Sequence, residues 1–264
     1  MCDRQRVPGG DCFFDEVLRL PVIGMGHSAM LPAAVVALGF AVLARALRAV
    51  TDGGALAGAA IAFLLIVAGG LWAFVPLIAV FLVTLLATRW RAERKRSLGI
   101  AERRAGRSAS QVVANLGAAA VCALGAVQFP QHTRSLMVGA MAVLAEAAAD
   151  TVSSEVGQAV AAQPRLVLGF ARAPVGTNGA ISLEGTFAGC IAASLVAWTA
   201  TLCGVVAWRW APVIATAGAA GMLFDSVLGA AFENYGKMGN DAVNFVSTVF
   251  AADLALLALM SLNR

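Results

Sequence analysis

The sequence predicts an all-α fold, a polytopic transmembrane bundle of roughly seven to eight spans, and three observations carry that prediction. Of its 264 residues 60% are hydrophobic and only 13% charged, with a mean hydropathy of +0.81. A water-soluble domain carries about twice that charge. Apolar stretches near the ~20 residues that a ~30 Å hydrocarbon core demands recur along the whole chain. None of them alternates polar and apolar residues as the strands of a membrane barrel do.

Taken in order, the spans are expected at 28–50, 54–70, 71–88, 111–127, 135–151, 183–206, 211–232 and 241–262. The second and third abut at Gly69-Gly70. A single helix across both would be about 50 Å long at ~1.5 Å per residue, too long for one crossing, so the chain is split there. Alanine and glycine crowd the spans, as in Gly117-Ala118-Ala119-Ala120. Small residues let helix backbones approach where lipid supplies no hydrophobic force between them.

The segment before the first span, 1–27, reads as a flexible or interfacial leader. Its charges (Asp3, Arg4, Arg6, Asp11 among them) leave no apolar core of signal-peptide length. The rest, 28–264, reads as a single polytopic membrane domain with a basic loop at 89–110 and a motif loop at 152–182. Eight Arg and Lys residues lie between Arg89 and Arg107, which places that loop in the cytoplasm. The longer polar connections then fall on the same side, so the expected location is the cytoplasmic membrane with the polar site facing the cytoplasm. The five cysteines are scattered without a CxxC, and only His27 and His132 offer imidazole. A disulfide scaffold and a zinc site are therefore not expected. No aromatic-interleaved basic module points to nucleic acid.

The informative residues are polar ones at span ends. Glu146 and Asp150 sit four apart, hence on one helix face, and Ser153, Ser154 and Glu155 follow at the membrane edge. Asp225 lies inside the seventh span beside Ser226. An aspartate at a helix centre costs about 2.5–3.5 kcal/mol on insertion scales, so such residues face a bundle interior. Asn240, Asp241 and Asn244 open the last span, and Gln111 and Asn115 share a face of the fourth. Carboxylates, amides and hydroxyls without thiol or imidazole suit a hard cation such as Mg²⁺. The turn Thr177-Asn178-Gly179 precedes Ser182, a capping residue for the next helix, whose positive end suits phosphate. No GxxxxGK[ST] P-loop is present.

These blocks, in this order, closely resemble one integral membrane family. They are Ser110-Gln111 through Asn115, Asp150-Thr151-Val152-Ser153-Ser154-Glu155-Val156-Gly157, Pro164-Arg165-Leu166, Gly176-Thr177-Asn178-Gly179, Ser182-Leu183-Glu184-Gly185-Thr186, Phe224-Asp225-Ser226 and Asn240-Asp241-Ala242-Val243-Asn244. The family is the one catalogued as domain of unknown function ninety-two, which has phytyl-phosphate kinase-like members. The Asp150–Gly157 and Ser182–Thr186 blocks also look distantly like dolichol kinases and CDP-diacylglycerol synthases, which use CTP and Mg²⁺.

The resemblance implies a prenyl-phosphate kinase-like phosphotransferase, passing a phosphoryl group from CTP or another nucleoside triphosphate to an isoprenoid monophosphate with Mg²⁺. It implies Asp150, Glu155 and Asp225 as metal-holding catalytic residues, with Asn240 and Asp241 assisting. Thr177, Asn178, Gly179, Ser182, Glu184, Gly185 and Thr186 would hold the nucleotide phosphates, and Arg165 would neutralise phosphate charge. Gln111, Asn115, Ser154, Ser226 and Asn244 would complete the polar lining. The lysine that relatives carry before this step is absent, so donor phosphates would fall to Arg165, Arg172, Lys237 or the 89–107 loop. The alternative is a membrane transporter or lipid flippase, since buried acids and glycine-rich spans serve those too.

Overall fold

The computed structural model describes residues 27–99, 106–161 and 163–262; the expected leader and part of the basic loop lie outside them. Among the described residues the chain forms nine helices. They are α1 (His27–Ala46), α2 (Asp52–Gly69), α3 (Phe74–Arg89), α4 (Ala92–Ser97), α5 (Ala109–Gln128), α6 (Thr133–Val160), α7 (Leu183–Leu202), α8 (Ala211–Ala231) and α9 (Asn240–Leu262). Two two-residue strands, β1 (Arg165–Leu166) and β2 (Ala180–Ile181), pair antiparallel between α6 and α7. Seven helical segments among the described residues are long and apolar enough to cross a membrane, and a shorter apolar stretch, Met30–Ala46, makes up most of α1. The protein is a multi-pass, all-α membrane bundle.

The break at Gly69-Gly70 stands. Gly70 adopts φ +77, a left-handed conformation costly to a residue with a Cβ, and a 3₁₀ turn at Leu71–Ala73 starts the return. The two halves then diverge: α2 packs on α1 and α5, whereas α3 packs on α6 and α7.

Packing sorts residues by size more than by polarity. The interior is built largely of alanine, with Ala140, Ala145, Ala148, Ala193, Ala197 and Ala255 fully buried, while Leu31, Leu43, Leu86, Leu202 and Leu257 lie exposed where lipid would surround them. Such a core gains by close van der Waals approach. Its centre is α6, against which α3, α5, α7, α8 and α9 all pack. Glycines mark the tightest crossings. A Cβ on Gly185 would stand 2.5 Å from the Ser153 carbonyl oxygen, and one on Gly189 would stand 2.8 Å from that of Ala149. Between them these two glycines set how closely α7 lies on α6.

The main departure from expectation is the length of α6, which runs on through Val160 where hydropathy ends the span at Thr151. The beginning of the expected motif loop is thus helical. Apolar character fails there because the residues face a cavity instead of lipid, and backbone hydrogen bonding carries the helix onward regardless.

The basic connection after α3 is also structured. Arg91 and Arg94 donate to the Ala159 and Ala161 carbonyls at 3.4 and 3.5 Å, at the negative end of α6. Lys95 is 1% exposed; its ammonium donates to the Ala87 and Thr88 carbonyls at 3.0 and 2.7 Å and pairs with the Glu155 carboxylate. Positive charge that hydropathy reads as a topology signal here locks α4 onto α6.

Candidate active site

Five helix ends meet at the end of the bundle that carries the basic connection. The helices α5, α7 and α9 begin there, and α6 and α8 finish there. Between them lies a cavity of about 280 Å³. Each starting helix presents one polar face to it: Gln111 and Asn115 from α5, Ser182 and Thr186 from α7, Asn240 and Asn244 from α9. Each pair is four residues apart and so stacked on one side of its helix. The finishing helices contribute Asp150, Ser153, Ser154 and Glu155 from α6, and Asp225 and Ser226 from α8, with Glu233 just beyond.

Local chemistry fixes each start. Ser108 caps α5 by accepting from the Gln111 N–H at 3.3 Å, while the Gln111 side chain accepts from the Ser108 N–H at 2.9 Å, a capping box. Ser182 caps α7 by accepting from the Gly185 N–H at 3.1 Å. Three positive helix ends and several acids thus converge, an arrangement able to hold phosphate oxygens on one side and a cation on the other.

The roof of the cavity is the segment from Gly176 to Ile181, which lies directly on α8. Gly179 has φ +73, and a Cβ there would stand 2.4 Å from the Ala230 nitrogen and 2.5 Å from the Ser226 carbonyl oxygen. The Asn234 amide donates to the Asn178 carbonyl at 3.0 Å, and the Val167 N–H donates to the Gly179 carbonyl at 3.0 Å. Gly236 supplies a built-in control, because its φ is +66 but nothing lies within 4 Å of its virtual Cβ. Gly179→Ala is expected to destabilise the protein by more than Gly236→Ala. The latter carries only the ~1–2 kcal/mol of a left-handed residue, whereas the former adds a backbone clash. Thermal unfolding of both variants in detergent checks this, and equal losses would refute docking of the segment on α8.

Behind the acids the structure holds a buried link. Glu146, 1% exposed, accepts from the Ser247 hydroxyl at 2.7 Å, and the Asp225 carboxylate lies 3.2 Å from the same hydroxyl. Glu146 therefore ties α6 to α9 below the cavity floor, while Asp150, one turn on, reaches the cavity itself. Asp150, Asp225 and Glu233 lie within electrostatic reach of one another, as do Arg107 and Asp150. Arg107 also donates to the Thr151 hydroxyl at 3.1 Å. Among the described residues no three carboxylate, imidazole or thiol side chains converge as a ready-made metal cage.

Most of the expected residues line this one cavity: Asp150, Glu155, Asp225, Thr177, Asn178, Gly179, Ser182, Thr186, Asn240, Gln111, Asn115, Ser154, Ser226 and Asn244. Four do not. Arg165 donates to the Phe170 carbonyl at 2.9 Å in the turn after β1. Glu184 is exposed, two residues from Ser182 and so turned to the other side of α7. Gly185 is spent on the α6 crossing, and Asp241 follows Asn240 round α9 by a quarter-turn or so. Glu155 reaches the cavity wall, but its carboxylate is engaged by Lys95. Sequence reasoning gave no site role of their own to Arg107, Gln158 or Glu233, all of which line the cavity. Arg107 carried a signal, being the last of the basic run and next to the Ser108 cap; the other two carried none.

A family model described as integral membrane protein DUF92 matches residues 35–252. Protein VTE6, chloroplastic, of Arabidopsis thaliana is 32% identical over 194 residues, 70% of this chain and 57% of that protein. The chain thus matches little more than half the length of that relative. An uncharacterized membrane protein of Methanocaldococcus jannaschii is 28% identical over 218 residues, 81% of this chain and 88% of its own. One from Synechocystis is 31% identical over 186 residues, 69% and 72% of the two chains. No solved structure matches.

Proposed function

Because the chain belongs to the integral membrane protein family DUF92, we propose that it is a prenyl-phosphate kinase-like enzyme, transferring the terminal phosphoryl group of a nucleoside triphosphate, CTP in first place, to an isoprenoid monophosphate with Mg²⁺. The observation that carries the reading is the joining of acids at the ends of α6 and α8 with the starts of α5, α7 and α9 round one cavity. It agrees with the resemblance of the same blocks to phytyl-phosphate kinase-like proteins.

Mg²⁺ is commonly bound by one or two carboxylates together with substrate phosphates, so an all-protein cage is not required. Asp150 and Asp225 fit that part, with the Asn240 amide and the Ser226 hydroxyl as neutral oxygen donors nearby. The ion would supply neutralisation of the phosphate charge. Glu155, paired with Lys95, is a positioning residue in this reading. The Thr177–Gly179 turn and the start of α7 would receive the triphosphate. An oxygen of the acceptor phosphate attacks the terminal phosphorus, the bond to the bridging oxygen breaks, and the nucleoside diphosphate leaves. The acceptor is already an anion, so no strong base is needed, and positioning with charge neutralisation supplies the rate. The polar site would face the cytoplasm, where the nucleotide is.

The test is a product assay on detergent-purified protein with geranylgeranyl monophosphate, Mg²⁺, and CTP or ATP in parallel, read by mass spectrometry. Diphosphate is expected with CTP, and its formation is expected to stop when EDTA removes the metal. Absence of diphosphate with every donor, from protein shown to be folded, would overturn the reading in favour of transport.

A further inference from the structure

A second cavity, of about 550 Å³, opens at the same end of the bundle between α1, α2, α3 and α5. Its deeper wall is apolar, with Phe40, Gly58, Val80 and Phe81, and arginines Arg48, Arg89 and Arg96 stand at its mouth. Phe40 meets Phe81 edge-on with ring centroids 5.0 Å apart. Arg107 and Asn115 belong to both cavities, so these two side chains form the partition between the polar chamber and the apolar one.

Arg107 is seated there by its backbone. Its N–H donates to the Ala49 carbonyl at 3.0 Å, and its carbonyl accepts from the Thr51 N–H at 2.9 Å. A Cβ on Gly54 would stand 2.4 Å from that carbonyl, so α2 starts in contact with it.

We propose that this second cavity is the hydrocarbon-tail subsite of the acceptor: the isoprenoid chain lies between α1, α2 and α3, and its phosphate is held at Arg107, facing the acids across the partition. The assignment rests on the phosphoryl-transfer reading for the identity of the head group. The occupant follows from charge and continuity. An apolar slot rimmed by guanidinium groups fits an amphiphile with an anionic head, and the partition brings that head to the cavity where the donor would sit. A free phosphate would leave the apolar length of the slot unused, and a two-chain phospholipid would need a second slot.

The test is photo-crosslinking of the full chain with a diazirine-tagged geranylgeranyl monophosphate, mapped by peptide mass spectrometry. Label is expected on α1, α2 and α3 around Phe40, Gly58 and Phe81. Unlabelled geranylgeranyl monophosphate is expected to compete it away; inorganic phosphate and phosphatidic acid are not. Label confined to α6–α9 or scattered over the lipid-facing leucines would overturn the proposal, as would full competition by inorganic phosphate or by phosphatidic acid. Gly58→Phe gives a second arm, because Gly58 lines the slot and its virtual Cβ meets nothing within 4 Å, so the added side chain starts in open space. It is expected to shift kcat/KM for geranylgeranyl over dimethylallyl monophosphate by at least about tenfold toward the short acceptor. An unchanged ratio in folded protein would overturn the tail subsite. The two readings fail separately: label in the slot without diphosphate formation leaves the subsite standing and removes the kinase, whereas diphosphate formation with label elsewhere does the reverse.

Discussion

Replacing Asp225 by asparagine is expected to lower kcat for phosphoryl transfer by about 10²–10³-fold with the fold intact, the scale on which a preorganised electrostatic group acts in a closed site. Asparagine keeps the shape of the side chain, and its amide can still hydrogen-bond with the Ser247 hydroxyl, which donates to Glu146 and lies 3.2 Å from the Asp225 carboxylate. What disappears is a negative charge on the cavity wall formed by α8. Initial rates over a range of Mg²⁺ concentrations separate the possible causes. A lost metal ligand shows as partial recovery at high Mg²⁺, whereas a displaced helix shows as a lowered unfolding temperature. Full activity at ordinary Mg²⁺ would remove Asp225 from the site.

Lys95→Met is expected to be the most damaging change to stability, at about 3–5 kcal/mol. Methionine fills much of the lysine's volume, so the loss is electrostatic more than steric. It leaves the Glu155 carboxylate, itself only 13% exposed, without its cation and the Ala87 and Thr88 carbonyls without a donor. The double variant Lys95→Met/Glu155→Gln is expected to recover part of the loss, because removing both charges abolishes the uncompensated one. Denaturant unfolding in detergent measures both. A single variant as stable as the parent would mean that α4 is not anchored as described.

How far the sequence discloses this molecule depends on which physical signal each element uses. Hydropathy finds the spans because lipid selects for it, and it finds the Gly69-Gly70 break because ~30 Å of hydrocarbon limits one helix. It fails at α6, where the solvent of the polar residues is a protein cavity and nothing in composition marks the change. The site was legible where residues four apart sit on a helix, as with Gln111 and Asn115, since periodicity fixes their common face. Choosing between neighbours such as Asn240 and Asp241 needs the rotation of the helix about its axis, which one sequence does not supply. Lys95 and Glu155 are sixty residues apart, and no local pattern announces their pairing. Arg165 entered as a phosphate ligand through the resemblance of its block, and no sequence pattern announces that its guanidinium donates to the Phe170 carbonyl in its own turn.

The central position of α6 has a consequence for how the protein is made. It is the most enclosed of the apolar segments, with 78% of its apolar window buried, yet it carries Glu146, Asp150 and Glu155. A translocon that judges segments one at a time meets in α6 a passenger whose acids each count against release into lipid. The groups that cover those acids arrive on both sides of it in time. Lys95 has already been synthesised, but Ser247, whose hydroxyl donates to Glu146, emerges only with α9. The Glu146 carboxylate, at the centre of the bundle, is thus expected to gain its hydrogen-bond donor only when the last helix has been made.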